Sequence, residues 1–273
     1  MLSVIIPASN EESFIGPCLC ALFASTGLAS PEVIVVANGC RDATAARAES
    51  HAAMAQAAGW RLVVISLAQG HKPGALNAGD RAATGSIRAY LDADVIVSAG
   101  VMAGLVAALA APAPLYASAT PRIPPAKSRV TRAYARFWQR LPFARSTAPG
   151  YGLFATNAAG RARWGDFPAI ISDDTFVRLQ FAPAERRQTP APYDWPMIEG
   201  FAALTRVRRR QNAGVTEIAR LYPGLTAQEG KARLTATALA RLALRDPLGF
   251  CTYAAVSLAV RFGGVSKGWT RGR

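Results

Sequence analysis

The sequence predicts an α/β protein: a doubly wound, mostly parallel sheet flanked by helices, followed by a helical C-terminal extension. Three observations carry this expectation. Short β-branched runs recur four times in the first 94 residues, helical patterns fill the gaps between them, and polar or acidic residues collect where each run ends. Apolar runs of this length, bounded by turn residues, are what strands buried on both faces look like.

In chain order, LSVIIP (2–7), EVIVVA (32–37), RLVVIS (61–66) and IRAYLD (87–92) are the expected strands, with helices over 17–25, 43–58 and 74–83. Pro17 suits a first helical position and Asp42 an N-cap. The alternation implies right-handed crossovers, with ligands collecting outside the strands' C-terminal ends. The uncharged stretch VIVSAGVMAGLVAALAA (95–111) reads as a buried helix rather than a membrane span, since it is rich in Ala and Gly and is stopped by Pro112 and Pro114. Another strand is expected over 115–120, and RIPP (122–125) closes the first half. Residues 126–145 read as a basic amphipathic helix containing Tyr134, Phe137 and Trp138, and 226–263 as two helices parted near Asp246 and Pro247.

At 273 residues, 51% hydrophobic and 18% charged, the chain can bury a large core, which excludes a disordered protein. Cys18, Cys20, Cys40 and Cys251 match no zinc spacing and are too few to staple a chain of this size, which points to a reducing compartment. The first strand begins at once, with no basic n-region and no cleavage site, so the expected location is the cytoplasm. Net charge is +14, distributed as −2 over residues 1–94, +6 over 95–200 and +10 over 201–273. No Asp or Glu lies between Asp94 and Asp166. Such a field draws phosphates, whether of nucleic acid, anionic lipid or a diphosphate. A nucleic-acid-binding module would account for the charge but not for a near-neutral front half with polar strand tips. No nucleic-acid partner is expected.

Each strand tip carries a candidate segment. VIIPASNEE (4–12) turns through Pro7, Ala8, Asn10 and Glu11, over which a base or ribose can lie; it is also an ordinary turn. In VVANGCRDAT (35–44), Asp42 follows Asn38, which either meets a pyrimidine edge or takes the left-handed conformation beside Gly39. GHKPGALNAG (70–79) sets Lys72 at a helix N-terminus, where dipole and fixed charge suit a phosphate, while Asn77 is a ligand or a surface amide. His51 and His71 have no ligand partner at a fitting spacing and stay unassigned. YLDADV (90–95) holds two carboxylates, Asp92 and Asp94 about Ala93, which are costly at a strand end without a counter-charge. Mg²⁺ or Mn²⁺, binding one or two carboxylates plus phosphate oxygens, would supply it; a capping pair is the plainer alternative.

Together, in this order and at these spacings, the four segments resemble the family 2 glycosyltransferases, inverting enzymes of the GT-A fold. The likeness covers about residues 1–100 and continues less sharply to about residue 214. It implies a catalytic domain over 1–222, with a nucleotide-sugar-binding half (1–120) and an acceptor half (121–222), and a basic, membrane-associated helical extension over 223–273. It implies that Asp92 serves the donor's ribose, that Ala93 belongs to the nucleotide-sugar site, and that Asp94, with Asp92, holds Mn²⁺ or Mg²⁺. Asn38 stands where the family usually has a uracil-binding acid.

AIISDDTFVRLQF (169–181) resembles the family's acidic pair, so that Asp174 matches the base that deprotonates the acceptor hydroxyl and Asp173 its neighbour. A helix cap is the alternative there. APGYGLFATNAAG (148–160) resembles the glycine-rich acceptor loop, which makes Gly150, Tyr151, Gly152 and Asn157 acceptor-binding candidates. TRVRRRQNAG (205–214) resembles the element that closes over the diphosphate, without its Trp, leaving Arg209 or Arg210 to neutralise charge. The expected activity is transfer from a nucleotide-sugar donor, UDP-sugar foremost, to an acceptor hydroxyl in cell-envelope polysaccharide or glycolipid synthesis. A lipid-linked or saccharide acceptor and peripheral contact with anionic membrane at its inner face fit the basic helices. A sugar nucleotidyltransferase, the competing enzyme class, would carry a glycine-rich basic loop where ASNEE stands.

Overall fold

The computed structural model describes residues 1–230, 232 and 234–262; the basic end of the expected extension, 263–273, lies outside them. Parallel strands β1 (Leu2–Ala8), β2 (Glu32–Asn38), β3 (Arg61–Leu67) and β4 (Ile87–Leu91) pair in the order β3-β2-β1-β4. The sheet then turns mixed. β7 (Leu153–Asn157) runs antiparallel to β4 and to β6 (Tyr116–Arg122), β8 (Arg186–Asp194) runs parallel to β6, and the two-residue β5 (Ile96–Val97) closes the edge antiparallel to β8.

Successive residues of a strand face opposite sides of its sheet, and here both sides are apolar. Val4 and Ile6 of β1 with Val33 and Val35 of β2 join one core, while Ile5, Ile34 and Val36 join the other. Helix α1 (Glu12–Phe23) covers the first through Ile15, Cys18, Leu19 and Leu22; α4 (Lys72–Ala82) covers the second through Ala75 and Leu76.

Several expected helices begin, break or end elsewhere. Helix α1 starts five residues before Pro17, because the Glu11 carbonyl accepts from Phe14 and Ile15 at 2.9 and 2.8 Å. Pro17 then sits inside the helix and leaves one carbonyl of the first turn without its usual donor. The segment 43–58 divides into α2 (Thr44–Glu49) and α3 (Ala52–Ala57), where Ser50 Oγ and His51 Nδ1 both engage the Arg47 carbonyl at 2.8 Å. The uncharged 95–111 stretch is β5 followed by α5 (Val101–Ala108), since Ile96 and Val97 pair with β8 before any helix begins.

The basic aromatic helix is α6 (Arg129–Trp138), shorter than expected because it starts at a Ser128 cap and ends before Pro142. Its aromatic side is not presented to solvent. Tyr134 and Phe137 are buried against Tyr253 and Phe250 of α11 (Pro247–Phe262), which follows α10 (Ala236–Arg245) across the expected break at Asp246 and Pro247. Asp246 fixes that corner, accepting from Arg136 Nε and Nη2 at 2.7 and 2.6 Å and from the Gly249 amide at 3.0 Å.

One buried carboxylate joins three elements on the second face. Asp80 of α4 accepts from Arg88 of β4 at 2.8 Å, from Tyr90 Oη at 2.9 Å, and from Arg161 of α7 (Ala158–Arg161) at 2.6 Å. Removing it strands two guanidinium groups, so Asp80→Ala should lower unfolding free energy by about 3–5 kcal/mol, read from the midpoint of urea unfolding.

Candidate active site

A cleft of about 280 Å³ opens at the C-terminal ends of β1, β2 and β4. Pro7, Ser9 and Glu11 line it from the first tip, Asn38 from the second, and Asp92, Ala93 and Asp94 from the turn after β4. On the far side stand α8 (Asp173–Arg178), contributing Asp173 and Asp174, and α9 (Phe201–Leu221), contributing Arg208, Arg210 and Gln211.

Lys72 ties these parts together. It is the first residue of α4, capped by His71, whose Nδ1 accepts from the Gly74 amide at 3.1 Å. From there its ammonium reaches Asp92 Oδ1 at 3.0 Å and Asp173 Oδ2 at 3.2 Å. Burial alone would lower the Lys72 pKa, but the carboxylates of Asp173, Asp92 and Asp174 outweigh it and hold the ammonium above its ordinary value. Burial pushes Asp173 up to about 6; Lys72 opposes this, and Asp174 and Asp92 add to it. Asp174 is half-buried and its Oδ1 accepts from the Thr175 amide at 2.7 Å, a bond made by the start of α8 itself. The N-cap of α8 is Ser172, which makes no side-chain cap bond, and Asp174 lines the cleft from the first turn.

The described residues contain no group of three or more His, Cys, Asp or Glu arranged to hold a metal ion. Asp92 and Asp94 form a two-carboxylate, all-oxygen set, and such a set suits a hard cation that completes its shell with substrate phosphates. Cys18 Sγ approaches the Asp92 carbonyl at 3.9 Å, but burial holds the thiol above its usual range, so no thiolate competes.

Of the acceptor-loop residues, Tyr151 and Gly152 line the cleft, while Gly150 lines a small cavity beneath it. Both glycines have positive φ, +80° and +77°; a Cβ on Gly150 would overlap Tyr116 Oη, and one on Gly152 would sit 2.5 Å from Trp195 Cδ1. The loop therefore presses Tyr151 against Trp195 and Trp138, with ring centroids 4.7 and 5.4 Å away.

Several candidates are committed elsewhere. Asn157 caps α7 and donates to the carbonyls of Ala111 and Ala113, which removes it from the acceptor side. Asn77 is bonded both ways to the Phe167 backbone, at 3.1 and 2.7 Å. Asp42 accepts from Thr44 and from the Glu12 amide, and Asn10 accepts from the Arg41 amide, so both hold the turns that frame the cleft. Ala8 is fully buried; its carbonyl accepts from Asn38 Nδ2 at 2.9 Å. Arg209 points its guanidinium to the Ala259 carbonyl of α11.

The sequence reading missed Ser9, Arg208 and Trp195. Arg208 donates to Tyr134 Oη at 2.6 Å on the cleft wall. Helical spacing carries the signal for it: Leu204, Val207, Arg208 and Gln211 share one face of α9, and Arg209 falls off that face. Trp195 carries no local signal, because it reaches the wall only through the pairing of β8 with β6.

Residues 3–164 match the model of the family Glycosyl transferase family 2. No curated protein matches the sequence. Among solved structures, a mannosyltransferase from Pyrobaculum calidifontis in complex with GDP-Man and Mn²⁺ superposes with a TM-score of 0.62 at 22% identity, over 96% of this chain and 76% of that one. Glucosyl-3-phosphoglycerate synthase from Mycobacterium tuberculosis, in complex with Mn²⁺, UDP and glucosyl-3-phosphoglycerate, gives 0.54 at 21% identity, over 81% and 79%. S. aureus TarS 1-349 in complex with UDP gives 0.54 at 12% identity, over 95% and 91%. These likenesses establish the GT-A fold.

Removing the Lys72 charge takes away the attraction that opposes burial at Asp173. Lys72→Met should therefore move the Asp173 midpoint above about 6, visible as a displaced side-chain carboxyl titration by carbon NMR, with Lys72→Arg restoring the original midpoint.

Proposed function

The chain belongs to glycosyl transferase family 2, and from that premise we propose that it transfers a sugar from a nucleoside-diphosphate donor to an acceptor hydroxyl, with inversion at the anomeric carbon. The observation that supports this most is the meeting of Lys72, Asp92, Asp94, Asp173 and Asp174 in one cleft. UDP-sugar is the leading donor, with GDP-sugar the second choice because the Pyrobaculum neighbour was solved with GDP-Man.

Asn38 bears on the base. Its Nδ2 already donates to the Ala8 and Val36 carbonyls at 2.9 and 3.3 Å, which leaves Oδ1 as its acceptor. An uncharged acceptor suits the imide N–H of uracil or the N1–H of guanine, and disfavours bases that present a lone pair there.

Asp92 serves the ribose side and Asp94 is the stronger metal ligand. A bound Mn²⁺ or Mg²⁺ supplies Lewis acidity to the diphosphate. The protein's own groups do the rest. Asp174 takes the proton of the acceptor hydroxyl as its oxygen bonds to the anomeric carbon, while the bond from that carbon to the diphosphate oxygen breaks on the opposite face and the electron pair leaves with the diphosphate. Lys72, Arg208 and Arg210 meet the charge that develops on the leaving group. Asp173, buried and paired with Lys72, positions that ammonium. The aromatic wall of Trp138, Tyr151 and Trp195 suits a saccharide or lipid-linked acceptor, as in polysaccharide or glycolipid synthesis, and the basic C-terminal helices suit peripheral contact with an anionic membrane.

Calorimetry with UDP and GDP, with and without Mn²⁺, tests the donor reading. Wild type should bind one of them with a metal requirement, and Asp94→Ala should erase that requirement; equal binding by the two proteins would remove Asp94 from the metal site. Asp174→Asn should retain donor affinity and lose transfer by about 10²–10⁴-fold in single-turnover assays, the contribution typical of a general base. Transfer at wild-type rate would place the base elsewhere.

A further inference from the structure

A second cavity, of about 640 Å³, shares no lining residue with the cleft and lies between the segment after α6, the start of β8 and the helix α10. Its described wall carries Arg140, Arg145, Arg186, Arg241 and Arg245 against one carboxylate, Glu229. That carboxylate is already bonded to Arg178 at 2.6 Å, and Arg140 shares Asp246 with Arg136. Arg145, Arg241 and Arg245 are exposed and make no ion pair among the described residues. Arg186 is nearly buried; its terminal nitrogens donate to the carbonyls of Phe181, Gln228 and Glu229, and its Nε has no partner. Burial brings this guanidinium down to about 10, which keeps it charged at neutral pH.

The same region is apolar on the outside. Ala238, Arg241, Leu242 and Arg245 turn one face of α10 to the cavity, whereas Leu244 is 82% exposed and Leu248, at the start of α11, 66%. Leu234, also on the cavity wall, is exposed as well. No helix among the described residues is long and apolar enough to cross a membrane. Arginines around a hollow with leucines beside it match the two layers of a bilayer surface, phosphate and acyl boundary. A nucleic-acid backbone would use the arginines but leave the leucines in water.

We propose that this cavity is a headgroup site for an anionic phospholipid, holding the headgroup phosphate among Arg145, Arg241 and Arg245, with the buried Arg186 adding its charge from beneath, while Leu244 and Leu248 enter the acyl boundary. The proposal gives a place to the membrane contact suggested above and rests on that contact, but not on the donor chemistry.

Co-sedimentation of the full chain with phosphatidylcholine vesicles, plain or doped with phosphatidylglycerol, tests it. Wild type should pellet only with the doped vesicles, and Arg241→Glu/Arg245→Glu should weaken that binding by roughly 30-fold or more, at about 1 kcal/mol per lost charge. Arg145→Glu, on a different segment, should act in the same direction, with the melting temperature and nucleotide affinity of both variants unchanged. Vesicle binding that survives both variants overturns the headgroup site while leaving a membrane contact elsewhere; failure to bind doped vesicles overturns both. A thermal shift by inorganic phosphate that needs Arg241 and Arg245, without vesicle binding, makes this a free-anion site and overturns the lipid. RNA binding lost in the same variants, again without vesicle binding, has the same result. Loss of nucleotide binding in wild type would count against the transferase reading alone.

Discussion

Three carboxylates, Asp92, Asp173 and Asp174, gather about the Lys72 ammonium in the cleft. Asp92 comes from the tip of the parallel half of the sheet and Asp173 from the helix that follows the mixed half, so Lys72 is both a counter-charge and a clasp between the two halves. Its own position is set by the N-terminus of α4, which the His71 cap fixes. The protein as a whole is strongly basic, yet its cleft is centred on acids. That local inversion sets the cleft apart from a surface that attracts anions at large, and it suits the proposed joint binding of a cation and a diphosphate.

Packing supplies the second constraint. One wall of the cleft is shaped by a loop in which Gly150 and Gly152 permit contacts that no other residue would, bringing Tyr151 within van der Waals reach of Trp195. The Tyr193 hydroxyl donates to the Tyr151 carbonyl at 2.7 Å, so the loop is held from the sheet as well as from the aromatic wall. Such over-determined loops present side chains in a fixed geometry, which is what an acceptor hydroxyl needs if it is to meet one face of a sugar.

How much of this the sequence disclosed depends on how local each signal is. The parallel half was legible because its strands alternate between two apolar cores, and Lys72, Asp92 and Asp94 sit at strand or helix ends that periodicity alone locates. Asp173 and Asp174 were legible as a pair at a helix start. Asn77, Asp42 and Asn157 look the same in sequence whether they face a ligand or close a turn; only the partners, Phe167, Glu12 and Ala113, decide. Of Arg209 and Arg210, the two expected from a run of three arginines, Arg210 lines the cleft and Arg209 turns to α11, while Arg208, the unexpected third, lines the cleft as well. Trp195 depends on a strand whose pairing partner lies more than seventy residues earlier in the chain, and no window of sequence contains that information.

Tyr134 stacks on Tyr253 of α11 at 5.5 Å and receives the Arg208 guanidinium at the cleft wall, while the neighbouring Arg209 reaches the Ala259 carbonyl of the same helix. The C-terminal helix thus shares a partition with the catalytic chamber. Thermodynamic reciprocity follows from a shared partition: any ligand that biases the stance of α11 and any ligand that biases Arg208 change one another's affinity by the same factor. On the proposed reading, in which α10 and α11 meet a membrane and the cleft holds a donor, this shared wall links the two events.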